Sequence, residues 1–244
     1  MIGIVGGIGP IAGVDMYKRI IDNTIAKSDQ DHLPVLLASL PGEIVDRMPF
    51  LLHGEGENPA YGIANVIQML EKAGATLIAI ACNTAHSPGI YDVLLQKLHQ
   101  DGSKVDIVNL IDISIQEILK SQLAINRIGV MTTTGAYRAR LFHQSLEDAG
   151  LTPVFLPYER HEELIHKPIF RIKASGDSVE EDVVNTLNQG IEELQEAGAQ
   201  AILLGCTEIG MVEKSLNFGE LISYNPNTIM ARELIARYSP KKLK

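Results

Sequence analysis

The 244-residue chain has only two cysteines, and each closes a copy of one sequence unit. The first copy runs from Leu70 through Ala73-Gly74-Ala75 and the apolar Leu77-Ile78-Ala79-Ile80-Ala81 to Cys82-Asn83-Thr84. The second runs from Leu194 through Ala197-Gly198-Ala199 and Ala201-Ile202-Leu203-Leu204-Gly205 to Cys206-Thr207-Glu208. Each reads as a helix ended by Ala-Gly-Ala, an apolar strand, and a thiol followed by small polar residues. A second match, Ile2-Gly3-Ile4-Val5-Gly6-Gly7-Ile8-Gly9 with Ile128-Gly129-Val130-Met131-Thr132-Thr133-Thr134-Gly135, falls in nearly the same register. Two anchors in one register restrict the chain to two similar halves. Thiols at equivalent points of such halves suit a reaction that removes a proton from one face of a carbon and returns it on the other.

Short apolar runs alternate with helical patterns throughout. Strands are predicted at Ile2–Gly6, Val35–Leu40, Leu77–Ala81, Val105–Leu110, Ile128–Thr132, Pro153–Leu156, Ala201–Gly205 and Leu221–Tyr224. Their nearly continuous apolar character fits parallel strands covered by helices on both faces. Between them, Ile11, Val14, Ile21 and Ile25 share one helical face, as do Ile63, Val66, Ile67 and Leu70. Val179, Val183, Val184, Leu187, Ile191 and Leu194 mark a longer helix. The expected fold is α/β: two similar lobes, each a parallel sheet flanked by helices, related by pseudo-twofold symmetry, with the active site between them.

A net charge of −9 argues against nucleic acid as a partner, because phosphates need a basic footprint. An acidic small molecule would have to be captured by local cations against that field. The N-terminus is apolar, but its first lysine is Lys18, so the positive region of a signal peptide is missing. No stretch has the length of a membrane span. A cytoplasmic protein with both cysteines reduced is the expectation.

In an open α/β sheet, ligands bind beyond the carboxyl ends of the strands. Cys82 and Cys206 both fall there, just before a helix whose N-terminus would lower a thiol pKa and bind carboxylates. Asn83, Thr84 and Thr207 follow the thiols and have side chains able to cap those helices or donate to a ligand. The bland reading of either cysteine alone is a small buried hydrophobe. The matched pair with polar followers turns that reading around. The loops Gly6–Pro10, which includes Gly9, and Thr132–Gly135 occupy a third equivalent position. Their amides, and the hydroxyls of Thr132, Thr133 and Thr134, are expected to line the same cleft.

Other motifs carry less. Gly7-Ile8-Gly9-Pro10-Ile11-Ala12 fits a loose dinucleotide fingerprint, but the second strand runs into Pro41-Gly42 instead of ending in the required acid. His161 and His166 in His-Glu-Glu-Leu-Ile-His are five apart, not the four of a zinc helix, so no metal is expected. His86 lies four residues after Cys82, where it either tunes the thiolate or faces elsewhere. Glu208 is either a partner of the Cys206 thiol or a favourable charge in a helix first turn.

The motifs Gly6-Gly7-Ile8-Gly9-Pro10, Ala81-Cys82-Asn83-Thr84-Ala85-His86, Thr132–Gly135 and Leu204-Gly205-Cys206-Thr207-Glu208-Ile209 resemble those of the aspartate/glutamate racemases that act without pyridoxal phosphate. The resemblance covers nearly the whole chain, and its aspartate racemase branch is the nearer. It implies an isomerase needing no cofactor, in which Cys82 and Cys206 form a two-base pair. One, as thiolate, takes the α-proton; the other, as thiol, protonates the opposite face. It also implies that Asn83, Thr84 and Thr207 hold the α-carboxylate or amino group, and that Arg47 and Lys173 meet the side-chain carboxylate. The resemblance further implies a homodimer, and lobes at 1–103 with 214–244 and at 104–213. Asn225-Pro226 departs from the Asp-Pro or Asp-Ser common in relatives, keeping the shape of the side chain but losing its charge. The rival readings are a hydantoin- or maleate-type isomerase on the same fold, and a binding protein that has lost turnover.

Overall fold

The computed structural model describes residues 1–121, 124–175 and 179–244. Two units emerge, 1–113 with 227–244, and 114–226. The first contains β1 (Ile2–Val5), α1 (Pro10–Asn23), β2 (Val35–Ala38), α2 (Arg47–His53), α3 (Pro59–Lys72), β3 (Leu77–Ile80), α4 (Pro88–Gln100) and β4 (Asp106–Ile107). Its strands pair in parallel in the order β2-β1-β3-β4. Helix α5 (Leu110–Lys120) carries the chain onward. The second unit holds β5 (Arg127–Val130), α6 (Thr134–Arg138), α7 (Leu141–Asp148), β6 (Thr152–Val154), α8 (Tyr158–His161), α9 (Lys167–Ser175), α10 (Glu181–Glu196), β7 (Ala201–Leu203), α11 (Thr207–Met211) and β8 (Ile222–Tyr224). Its parallel order, β6-β5-β7-β8, repeats the first. Helix α12 (Pro226–Tyr238) returns the chain to the first unit.

The repeated sequence unit is a repeated piece of geometry. Helix α3 ends with Gly74 at φ 98°, and α10 ends with Gly198 at φ 89°, a backbone region glycine enters without strain. In the first copy Gly74 N–H donates to Glu71 O (2.8 Å) and Ala75 N–H to Leu70 O (2.9 Å). In the second, Gly198 N–H donates to Gln195 O and Ala199 N–H to Leu194 O, both at 2.9 Å. These are two Schellman endings. Each turn lies over a glycine of the neighbouring central strand. A Cβ on Gly3 would sit 2.7 Å from Ile78 Cδ1 and 2.9 Å from Ala75 Cβ. One on Gly129 would sit 2.8 Å from Ile202 Cδ1 and 3.0 Å from Ala199 Cβ. The duplication therefore extends to individual packing contacts.

All eight strands form where predicted; seven are shorter at the carboxyl end because the last residues already turn toward a loop or helix, and β8 ends at Tyr224 as predicted. Ile63, Val66, Ile67 and Leu70 are buried in α3, as are Val183, Leu187, Ile191 and Leu194 in α10. Helix α1 corrects the sequence reading. Its buried residues are Ala12, Gly13, Met16 and Ile20, whereas Val14, Ile21 and the following Ile25 are exposed. The small pair Ala12 and Gly13 lets the helix lie close to the sheet, where Met16 and Ile20 join Ile2 and Ile4 in one core cluster. The larger branched stripe is left outside.

Strand pairing also moves the division of the chain. The expected break after residue 103 would place β4 in the second lobe, but β4 pairs with β3. The expected break before residue 214 would place β8 in the first, but β8 pairs with β7. The parallel ladder hydrogen bonds satisfy the backbone of each edge strand on its own sheet. Gly3→Ala and Gly129→Ala should each lower stability by about 1–3 kcal/mol through overpacking at equivalent positions, read as a lower urea midpoint.

Candidate active site

Strand β3 delivers Cys82 to the start of a four-residue 3₁₀ turn, Asn83–His86. Cys82 is half-buried, and its Sγ lies 3.0 Å from Thr84 Oγ1. Asn83 is 4% exposed, yet neither its side-chain oxygen nor its nitrogen has a hydrogen-bond partner. Leaving such groups unpaired costs about 1–3 kcal/mol each. One donor and one acceptor beside the thiol thus suit a ligand carrying both. Arg47 opens α2 behind its cap Asp46, whose carboxylate accepts from Met48 N–H (3.0 Å). Its Nε is likewise buried and unpartnered. Gly9 lies in extended backbone (φ −141°) before α1, and its carbonyl accepts from Gly13 N–H (3.3 Å).

Strand β7 delivers Cys206 to the start of α11. Its Sγ donates to Glu208 Oε2 (2.8 Å), which also accepts from Thr207 Oγ1 (2.9 Å). Lys173, on α9, places Nζ 3.5 Å from the other oxygen, Oε1, and 5.3 Å from the Phe170 ring centroid. Burial, then the Glu208 charge, pushes the Cys206 thiol well above its ordinary pKa. This reverses the expectation that a helix N-terminus would lower it. The five-residue α11 has too few aligned peptides to outweigh desolvation and an adjacent carboxylate. Burial works against the charge of Glu208 too, but Lys173 and the hydrogen bonds from Cys206 and Thr207 hold its carboxyl below the usual range.

The threonine loop is tied into the second unit through its hydroxyls. Thr132 Oγ1 donates to Gly205 O (3.0 Å), Thr133 Oγ1 caps α6 by accepting from Ala136 N–H (3.3 Å), and Thr134 Oγ1 donates to Glu162. All three hydroxyl oxygens thus make a hydrogen bond within the unit, and the Thr133 hydroxyl, which only accepts, keeps its proton to donate. The partners missed from sequence are His161, the last residue of α8, and Glu162 and His166 on the π-helical turn Glu162–His166 that follows it. His161 Nε2 donates to Thr132 O (2.8 Å), and His166 Nδ1 accepts from Thr134 N–H (3.1 Å). The five-residue spacing that disqualified a zinc helix is the spacing of a π turn. It aims both imidazoles at one loop. Among the described residues, no group of three or more His, Cys, Asp or Glu is placed to hold a metal.

Two further residues are structural. Asn225 Nδ2 donates to Gly210 O (3.0 Å) and Glu213 Oε2 (2.6 Å), tying the end of β8 to the segment after Cys206. An aspartate would face a carboxylate there, so the departure from the racemase pattern is explained locally. Asn225→Asp should cost about 3 kcal/mol of stability, measured by urea unfolding. His86 is 4% exposed; its Nδ1 donates to Cys82 O (2.9 Å) and not to the thiol. Burial lowers its pKa from 6.5 to about 4. Because the folded value lies below the unfolded one, acid favours the unfolded chain. The contribution is intact above pH 6.5 and erodes as pH falls toward about 4. His86→Gln should remove about 3 kcal/mol of that acid-dependent loss, read from urea midpoints at pH 7 and pH 4.

The chain matches known proteins along almost its whole length. It aligns at 27% identity with an aspartate racemase from Picrophilus torridus, covering 100% of this chain and 95% of that one with a TM-score of 0.80. An aspartate racemase homologue from Pyrococcus horikoshii OT3 aligns at 25% identity and TM-score 0.72, covering 97% of each chain. A glutamate racemase of Clostridium perfringens is 26% identical over 187 residues, which span 70% of this chain and 65% of that racemase's length. The model of the Asp/Glu/Hydantoin racemase family matches residues 5–232, around both thiols and the strands that present them. The chain belongs to the Asp/Glu/Hydantoin racemase family.

Proposed function

We propose that the protein interconverts L- and D-aspartate, with glutamate as the alternative substrate, by a two-base mechanism at Cys82 and Cys206. The observation that carries the reading is the matched pair of thiols. Each follows a central strand of one of two identically ordered sheets, and each is hydrogen-bonded by the side chain two residues on. The P. torridus aspartate racemase, similar over the full chain, supports aspartate. The C. perfringens enzyme supports glutamate as the alternative.

The α-proton is weakly acidic, so the developing carbanion must be stabilised by donors on the α-carboxylate. In this reading the unpartnered amide of Asn83, with the Thr84 hydroxyl, takes the α-carboxylate or amino group, as Thr207 does beside the second thiol. Arg47, with its buried unpartnered Nε, and Lys173 receive the side-chain carboxylate. The chemistry demands that both thiols reach one α-carbon from opposite faces, one unprotonated and one protonated. No added cofactor takes part. A homodimer in a reducing cytoplasm belongs to the same reading, in keeping with two free cysteines.

In deuterated water, either enantiomer of aspartate should converge on the racemate with solvent deuterium at Cα, followed by NMR and optical rotation. Cys82→Ser and Cys206→Ser should each reduce the rate by roughly 10³-fold or more. Unchanged enantiomers of both aspartate and glutamate would sink the reading. Loss on substitution of only one cysteine would remove the two-base mechanism.

A further inference from the structure

We propose that Cys206 is the proton-carrying member of the pair in the free protein, held as a thiol by the carboxylate of Glu208, with Glu208 and Lys173 as positioning residues for that role. The inference rests on the racemase reading and deepens it. A carboxylate only accepts, so the 2.8 Å contact from Cys206 Sγ to Glu208 Oε2 requires the proton to lie on sulfur. Removing it would leave a thiolate against a carboxylate where Cys206 is 8% and Glu208 3% exposed. The thiol of Cys82 has a different neighbour. The Thr84 hydroxyl, 3.0 Å away, accepts from a thiol or donates to a thiolate equally well. The geometry thus gives Cys82 the base role in the resting protein.

Lys173 maintains the arrangement from α9 by pairing with Glu208 Oε1 (3.5 Å), while Thr207 donates to Oε2 (2.9 Å). His166 and Glu162, on the π turn preceding α9, interact with each other, and His166 also interacts electrostatically with Lys173. The upward displacement of the Cys206 pKa and the downward one of Glu208 agree with a proton kept on sulfur.

In the forward step the Cα–H proton passes to the Cys82 thiolate, leaving the electron pair on carbon. The Cys206 S–H bond then breaks and a C–H bond forms on the opposite face. Cys206 ends as a thiolate beside Glu208, the less populated form of the free protein. Because racemisation has an equilibrium constant of one, kcat/KM is equal for the two enantiomers. The bias therefore appears in the thiols themselves.

Alkylation by iodoacetamide, followed by mass spectrometry across pH, reads it without turnover. Cys82 in Cys206→Ser protein should react at least about tenfold faster at pH 8 than Cys206 in Cys82→Ser protein. Adding Glu208→Gln to Cys82→Ser should lower the pH midpoint of Cys206 alkylation by about one unit or more, and adding Lys173→Gln should raise it. Loosened packing would move both variants the same way, so opposite shifts separate charge from damage. Faster reaction at Cys206 than at Cys82, shifts in one common direction, or a midpoint unmoved or raised by Glu208→Gln would overturn the proposal. A protein that fails to racemise aspartate can still show the expected shifts, and one that racemises can fail to show them.

Discussion

The arrangement depends on a close contact made twice, a glycine in a central strand beneath the turned end of a helix. Gly3 admits Ala75 and Ile78, and Gly129 admits Ala199 and Ile202, at distances no larger side chain permits. The Schellman turns at Gly74 and Gly198 bring the alanines to those points. With helix end and strand locked together, the following strand leaves the turn in one register, and its carboxyl end carries the thiol to the edge of the sheet. The placement of each cysteine follows from packing some distance away from it.

Equivalence of backbone does not extend to charge. Cys82 meets a neutral hydroxyl, whereas Cys206 meets a carboxylate paired with Lys173. A duplicated scaffold has thus been given two different electrostatic settings. A symmetric pair of thiols would have no preference for which carries the proton. One carboxylate two residues along the chain supplies the asymmetry, because two anions in contact in a desolvated site are strongly disfavoured. The same logic would let a chain of net charge −9 take the acidic substrate proposed for it. In the proposed reading, binding would depend on a few local donors, among them Arg47 with its unpartnered Nε, rather than on the overall field.

Much of this was legible in the chain. The eight strands stand out because parallel strands buried on both faces must be apolar throughout, and the two halves because their motifs recur in register. Helix α1 misled for a physical reason. The β-branched Val14 and Ile21 are exposed, because close approach to the sheet selects the face that carries Ala12 and Gly13 with Met16 and Ile20. The Thr132–Thr134 hydroxyls read equally well as ligand donors, and only the fold reveals Gly205, Ala136 and Glu162 as their partners. Asn225 looked like a lost charge and is instead a donor to Glu213.

By itself, the sequence determined the α/β class, the duplication, and the two cysteines as equivalent residues at strand ends. Those properties are written in local periodicity and in repeated short motifs, which need no knowledge of distant neighbours. Only the tertiary structure decided that Glu208 turns toward Cys206, that Lys173 approaches from another helix, and that His161 and His166 clamp the threonine loop from the two ends of a π turn's span. Protonation and hydrogen bonding depend on burial and on the few ångströms between side chains. Lys173 and Glu208 lie 35 residues apart in the chain, a distance that folding reduces to an ion pair.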